Sequence, residues 1–217
     1  MGDNIQKMNQ NLREYFFSQK FLPILTVDGT EVCEDLVSIM HDFGLYTFEV
    51  TLRTDSSLKV IMEMSKSSRF IVGAGTLISP TDVKQAIMAG AKFGVSPGIT
   101  PELLDECEKN CFPIIPGVST SSEIMTAYVR GYKMLKFFPA EILGGINALK
   151  ALKGPFPKCE FFPTGGINED NILDYLSLDN VCGVAGSWLF PRELIKERNW
   201  LQIRTLLEMS KWNLSND

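Results

Sequence analysis

Lys136 stands in a run, Met134-Leu135-Lys136-Phe137-Phe138-Pro139-Ala140, that is otherwise apolar and aromatic. On a strand, side chains alternate between faces, so Lys136 and Phe138 share one face and Leu135 and Phe137 the other. With Leu135 and Phe137 turned to covering helices, the amine points inward, where desolvation disfavours its charged form. A neutral amine in a dry pocket attacks ketones, which is the chemistry of Schiff-base formation. The plain alternative is a strand-end lysine that carries its ammonium out to water.

A second charged strand is Phe48-Glu49-Val50-Thr51-Leu52-Arg53-Thr54. The period of two sets Glu49, Thr51 and Arg53 on one face and the apolar Phe48, Val50 and Leu52 on the other. The apolar set belongs against helices, so the carboxylate and the guanidinium are expected to face the interior. Such groups are costly there unless paired or used. They either plug the interior as an ion pair or serve the chemistry of Lys136.

Other candidates follow glycines and prolines that end short apolar runs. Gly73-Ala74-Gly75-Thr76 leaves room beside the centre and offers a rim hydroxyl at Thr76, which could equally cap the next turn. Ser96-Pro97-Gly98 and Pro116-Gly117-Val118-Ser119 are Pro-Gly turns, and by themselves mean only tight loops. Ser96 and Ser119 read as turn formers rather than catalysts. Thr164-Gly165-Gly166 and Gly186-Ser187-Trp188 close the last two runs. Glycine loops there, leading into helix N-termini, are expected to offer bare backbone N–H groups to an oxyanion.

These stretches recur at the ends of strand–helix units. A leading helix is predicted over 4–19, with Ile5, Met8, Leu12, Tyr15 and Phe16 at helical spacing. Strands are predicted over 21–27, 46–52, 70–76, 93–98, 113–119, 134–138, 160–164 and 181–185. Helices alternate with them, some announced by caps such as Ser79-Pro80-Thr81-Asp82 and Thr100-Pro101-Glu102. The last two helices are predicted over 168–177 and from Pro191 to about Ser210. Eight units of about 20–25 residues predict an α/β fold, a single (β/α)8 TIM barrel with an extra N-terminal helix. The domain covers 1–217: leading helix 1–20, barrel 21–190, C-terminal helix and tail 191–217. A doubly wound open sheet is the alternative, weakened because no G-x-G-x-x-G follows the first strand.

Composition narrows the function. A net charge of −5 argues against nucleic acid or anionic membrane as a partner, so an anionic ligand must be met by local donors. Five cysteines without a close pair favour reduced thiols and a cytoplasmic setting over a disulfide framework. Cys107 and Cys111 could be half a metal site, but no second pair or histidine cluster follows. His41 is the one histidine, placed to be a surface or capping residue, so no histidine-based metal site or catalytic triad is expected. The first residues show no secretory pattern, and no apolar run is long enough to cross a bilayer.

Taken in order, the motifs from Glu49-Val50-Thr51-Leu52-Arg53-Thr54 to Gly186-Ser187-Trp188 resemble 2-keto-3-deoxy-6-phosphogluconate aldolase, also called 4-hydroxy-2-oxoglutarate aldolase. The resemblance spans about Phe21 to Pro191, most of the chain. It implies a class I aldolase on a small (β/α)8 barrel, a cytoplasmic homotrimer that needs no metal or other cofactor. Carried over by position, Lys136 forms the Schiff base with pyruvate and Glu49 moves protons. Arg53 and Thr76 hold the keto-acid carboxylate, and Pro97 and Phe138 shape the pocket. Thr164, Gly165, Gly166, Gly186 and Ser187 receive the sugar phosphate.

Two departures stand out: the first strand lacks the family's Pro-Val pairing, and Ala185 precedes Gly186 where a double glycine is common. The second bears on the preference for a phosphorylated substrate, and related galactonate-type or unphosphorylated keto-acids remain alternatives. From the residues alone, a sugar-phosphate isomerase using Glu49 as base, or a sugar-acid binder without catalysis, also stays open.

Overall fold

The computed structural model describes residues 2–16 and 19–210. The end of the predicted leading helix, at 17 and 18, and the tail 211–217 lie outside the described residues. A helix α1 (Gly2–Phe16) precedes β1 (Phe21–Leu25). Then follow α2 (Cys33–Asp42), β2 (Thr47–Thr51), α3 (Ser57–Met64), β3 (Ile71–Gly75), α4 (Pro80–Met88), β4 (Phe93–Val95) and α5 (Pro101–Lys109). The second half runs β5 (Ile114–Ile115), β6 (Gly117–Val118), α6 (Ser121–Val129), β7 (Met134–Phe137), α7 (Gly145–Lys153), β8 (Glu160–Pro163), α8 (Ile172–Leu176), β9 (Val184–Gly186), α9 (Arg192–Lys196) and α10 (Trp200–Met209).

All pairings between these strands are parallel. The order β5-β4-β3-β2-β1-β9 forms one sheet and β6-β7-β8 another. The two meet at both edges. Pro116, which lacks an N–H, separates β5 from β6 within one extended segment. Two bridges, Phe161 to Val181 and Thr164 to Ala185, connect β8 to the β9 segment. The result is a parallel α/β sheet curled upon itself, with helices outside.

Side-chain parity builds two cores. The outward residues Phe48, Val50, Val72, Leu135, Phe137, Phe161 and Val184 pack beneath the helices. The inward residues Leu22, Ile24, Phe93, Val95, Met134, Phe162 and Ala185 fill the inside. Leu12 and Phe16 of α1 join this inner core, where the Phe16 ring lies 5.4 Å from that of Phe93 and 4.9 Å from that of Phe162. Burying these two side chains contributes roughly 1.5–3 kcal/mol each. The helix thereby stops the end of the fold remote from the functional loops. Gln19 ties the same end, its buried amide bonding the Phe21 and Thr47 carbonyls and the Tyr46 and Thr47 N–H groups.

Several starts form as the residues dictate. Ser79 and Asp82 make a reciprocal capping box for α4, and Thr100 caps α5 with Pro101 at its first turn. Other boundaries differ from expectation. The fifth predicted strand is split at Pro116. The helix expected over 168–177 is reduced to the five residues of α8, because the Asn168 and Asn171 side chains bond backbone groups in the preceding loop. The single C-terminal helix expected after Pro191 is two helices, interrupted at Arg198, whose φ is 54°. Among the described residues no helix is long and apolar enough to cross a membrane.

Candidate active site

The inward parity of β7 sets Met134 in the inner core and places Lys136 two residues further along the same face. Its side chain is 7% exposed and its Nζ lies 4.9 Å from the centre of the Phe138 ring. On β2, Thr47, Glu49 and Thr51 turn inward and all three are buried. Glu49 is 1% exposed, and its Oε2 has no hydrogen-bond partner among the described residues. Burial pushes the Glu49 carboxyl above the usual carboxylate range, against the opposing pull of Lys136 and then of Arg53.

Space for that carboxyl comes from β3, whose residues Gly73 and Gly75 also face inward. A Cβ on Gly75 would stand 2.6 Å from Glu49 Oε1, and one on Gly73 would stand 2.3 Å from the Phe93 ring. The two glycines thus admit the catalytic candidate and the core aromatic respectively. Thr76, the next residue, adopts φ 64°, a left-handed conformation that is costly for a β-branched residue and recurs at functional sites. It does not cap α4, for Ser79 does that.

Arg53 departs from expectation. Strand β2 ends at Thr51, so the period-two pattern does not extend to residue 53, which lies exposed at the rim. Among the described residues it makes no ion pair with Glu49, so the interior plug does not form. A chain of hydroxyls holds it instead. Arg53 Nη2 donates to Thr26 Oγ1 at 2.9 Å, Thr26 Oγ1 lies 3.0 Å from Thr51 Oγ1, and Thr51 Oγ1 donates to the Leu25 carbonyl at 3.1 Å.

The glycine loops end β8 and β9. Gly165 and Gly166 follow β8 with φ 93° and 86°, so both require the left-handed region open to glycine. The helix expected from residue 168 starts later, with α8 at Ile172, whereas the one expected from Pro191 starts where predicted, with α9 at Arg192. Any oxyanion held here would be met by loop amides and the Ser187 hydroxyl, with Asn171 at the start of α8 bonding the Gly166 carbonyl from behind.

These groups converge on one cavity of about 370 Å³. Lys136, Glu49, Arg53, Thr76, Pro97 and Phe138 line it. Thr164, Gly165, Gly166, Gly186 and Ser187 line it too, so every residue given a catalytic or binding role by sequence borders the same space. Sequence reasoning gave no site role to Ile24, Ile167 and Trp188, which also line it, as do Thr51 and Ala185. The apolar members of this set carry no chemical signal, although Trp188 belongs to the Gly186-Ser187-Trp188 motif. A second cavity of about 370 Å³ adjoins the first and shares Arg53, Ser187 and Trp188 with it.

The remaining candidates lie elsewhere. Ser96 is buried and bonds the Gly98 carbonyl and the Gly117 N–H; Ser119 donates to the Phe138 carbonyl. His41 is exposed beside Asp42 and Arg69. Among the described residues no group of three or more His, Cys, Asp and Glu is placed to hold a metal ion.

Residues 12–206 match the family model described as KDPG and KHG aldolase. The chain is 38% identical over 204 residues to the 2-dehydro-3-deoxy-phosphogluconate aldolase of Pseudomonas aeruginosa, covering 94% of this chain and 93% of that one. It is 39% identical to the KHG/KDPG aldolase of Escherichia coli K12, covering 85% of this chain and 87% of that one. The KDPG aldolase of Legionella pneumophila, solved with pyruvate captured as a covalent carbinolamine intermediate, superposes with a TM-score of 0.86 at 40% identity, over 91% of this chain and 97% of that one.

Proposed function

The chain belongs to the KDPG and KHG aldolase family, and from that membership together with the cavity we infer a class I aldolase that releases pyruvate through a lysine Schiff base. It cleaves 2-keto-3-deoxy-6-phosphogluconate to pyruvate and glyceraldehyde 3-phosphate. By the same chemistry it takes 4-hydroxy-2-oxoglutarate to pyruvate and glyoxylate. The observation that carries the reading is one buried amine and one buried carboxyl bordering one cavity, with the carboxyl held toward its neutral form.

In our assignment the Lys136 amine adds to the C2 carbonyl, and the carbinolamine loses water with a proton supplied by Glu49. The C4 hydroxyl then gives its proton to the Glu49 carboxylate left by that step, and the C3–C4 bond breaks. Its electron pair flows into the iminium, which does within the protein what a metal ion does in metal-dependent aldolases. The aldehyde departs, C3 of the enamine is protonated, and hydrolysis frees pyruvate and the amine. Glu49 is suited to this traffic because burial raises its carboxyl, so that it can both give and take a proton. Arg53 and Thr76 hold the carboxylate of the keto-acid, with Pro97 and Phe138 packing its short carbon chain. Thr164, Gly165, Gly166, Gly186 and Ser187 receive the distal end and its phosphate.

Our reading of the architecture is a single domain over 1–217, a closed (β/α)8 barrel with the extra helix α1 as its stopper. What supports closure is the continuity of 114–118 across Pro116 and the bridges between β8 and β9. A cytoplasmic homotrimer follows from the family resemblance, and light scattering would check it by returning the mass of three chains. The function is tested by adding borohydride with pyruvate and mapping the modified peptide. An adduct of pyruvate on Lys136 is the expected result. Turnover with no adduct on Lys136 would instead favour a reaction in which the lysine acts only as a charge.

A further inference from the structure

Glu141 and Tyr175 are absent from the cavity wall, yet they meet behind its glycine loop. Tyr175 is wholly buried on α8, and its hydroxyl donates to Glu141 Oε1. Burial first, and the Glu141 carboxylate after it, hold the phenol in its protonated form, so it remains a donor. Glu141 lies five residues beyond Lys136, in the turn that leaves β7. Its aliphatic part fills the space under Gly166, where a Cβ would stand 2.4 Å from Glu141 Cγ. The two segments are also laced by backbone bonds: Ala140 N–H donates to the Thr164 carbonyl at 2.8 Å, and Glu141 N–H to the Gly165 carbonyl at 3.1 Å. From the far side, Asn171 Nδ2 donates to the Gly166 carbonyl at 3.0 Å.

We propose that Glu141, anchored by Tyr175, is a positioning residue that fixes the Gly165–Gly166 loop against the turn after Lys136 and so sets the affinity for the distal anionic group of the substrate. This deepens the aldolase reading and rests on it. Left-handed glycines have many alternative conformations, and a loop that must present its amides in one of them needs an external brace. The brace here is a side chain rooted on the nucleophile's own strand segment. The loop and the amine are therefore held in a constant relation, which matters for a substrate that must reach both.

The test uses Glu141→Ala, Glu141→Gln and Tyr175→Phe, with two readouts on each variant. One is KM and kcat for the phosphorylated keto-acid. The other is the rate of borohydride trapping with pyruvate, which carries no distal anionic group. Glu141→Ala and Tyr175→Phe raise KM about tenfold, the equivalent of one well-placed hydrogen bond, while the trapping rate stays within about twofold. Glu141→Gln keeps an oxygen for the Tyr175 hydroxyl and restores KM to within about twofold of wild type. An unmoved KM in both Tyr175→Phe and Glu141→Ala overturns the proposal, as does a trapping rate that falls in step with KM, which would mark a general loss of structure. Failure of the wild-type chain to trap pyruvate at all would remove the aldolase reading and this inference together.

Discussion

The carboxyl of Glu49 responds to Lys136 more than to Arg53, although Arg53 follows it by four residues in the chain. The amine comes from a different part of the sheet, on β7, and both groups are buried in the lining of one cavity. Arg53 has left the strand for the rim. The pairing of this amine with this carboxyl is thus set by topology, which no local pattern encodes.

Lys136→Met removes the nucleophile and keeps a side chain of similar length and apolar stem. Turnover is abolished and no pyruvate adduct forms, while Tm changes by no more than a few degrees. Circular dichroism melting and mass spectrometry after borohydride treatment check both halves. Residual turnover above about a thousandth of wild type would mean that the amine is dispensable.

Glu49→Gln slows turnover by about 10²- to 10⁴-fold, the range expected for one positioned proton carrier. The same variant probes stability. Burial raises the carboxyl in the folded protein relative to the unfolded chain, so its neutral form favours folding. That contribution is complete below the unfolded value, about 4.3, and is lost as pH rises through the folded value. Glutamine fixes the neutral form at every pH. Its Tm should exceed that of wild type at about pH 8, with the gap closing toward about pH 4. A gap that widens on acidification would reverse the sign assigned to this burial.

Gly75→Ala acts on the same carboxyl without touching it chemically. The new methyl would stand 2.6 Å from Glu49 Oε1, closer than atoms tolerate, so the side chain must swing away. In a buried site that swing has few destinations. The expected outcome is a fall in kcat of about 10- to 100-fold with a much smaller change in KM, since proton transfer depends on placement at the scale of an ångström. Steady-state kinetics with KDPG decides it, and a normal kcat would show that Glu49 has room to spare.

Much of this site was legible in the chain because its parts announce strand ends. Glycine pairs, Pro-Gly turns and a lysine inside an apolar run each mark a place where a strand stops and a loop begins, and in a parallel α/β fold those places gather. Period-two reading gave the faces of β2 and β7 correctly through Thr51 and Lys136. It failed at Arg53, because the pattern continues in sequence after the strand has ended in space. The expected helix behind Gly165–Gly166 failed for a related reason: Asn168 and Asn171 spend the intervening residues on side-chain turns, and α8 starts late. The walls at Ile24, Ile167 and Trp188, and the brace from Tyr175 to Glu141, join residues distant in sequence. No spacing rule connects such pairs.

The hydroxyl chain behind Arg53 is a further relation of that kind, and it is the means by which an exposed arginine can act with precision. Long side chains at a rim sample many rotamers, and fixing one loses conformational entropy. Thr26 Oγ1 accepts from Arg53 Nη2 and in turn leans on Thr51, whose hydroxyl is satisfied by the Leu25 carbonyl. The guanidinium is thereby tethered to β1 and β2 at once, with its other N–H groups left to meet a carboxylate. Thr26→Val keeps the shape and removes the acceptor. The arginine remains, but its orientation is no longer prepaid, so KM for the keto-acid should rise about fivefold while kcat holds within about twofold. Thr26→Ser retains the hydroxyl and should stay near wild type. Arg53→Ala, which removes the charge itself, should raise KM by about 10- to 100-fold. If Thr26→Val matched Arg53→Ala in full, Thr26 would be touching substrate directly; if it matched wild type, the tether would be incidental to binding.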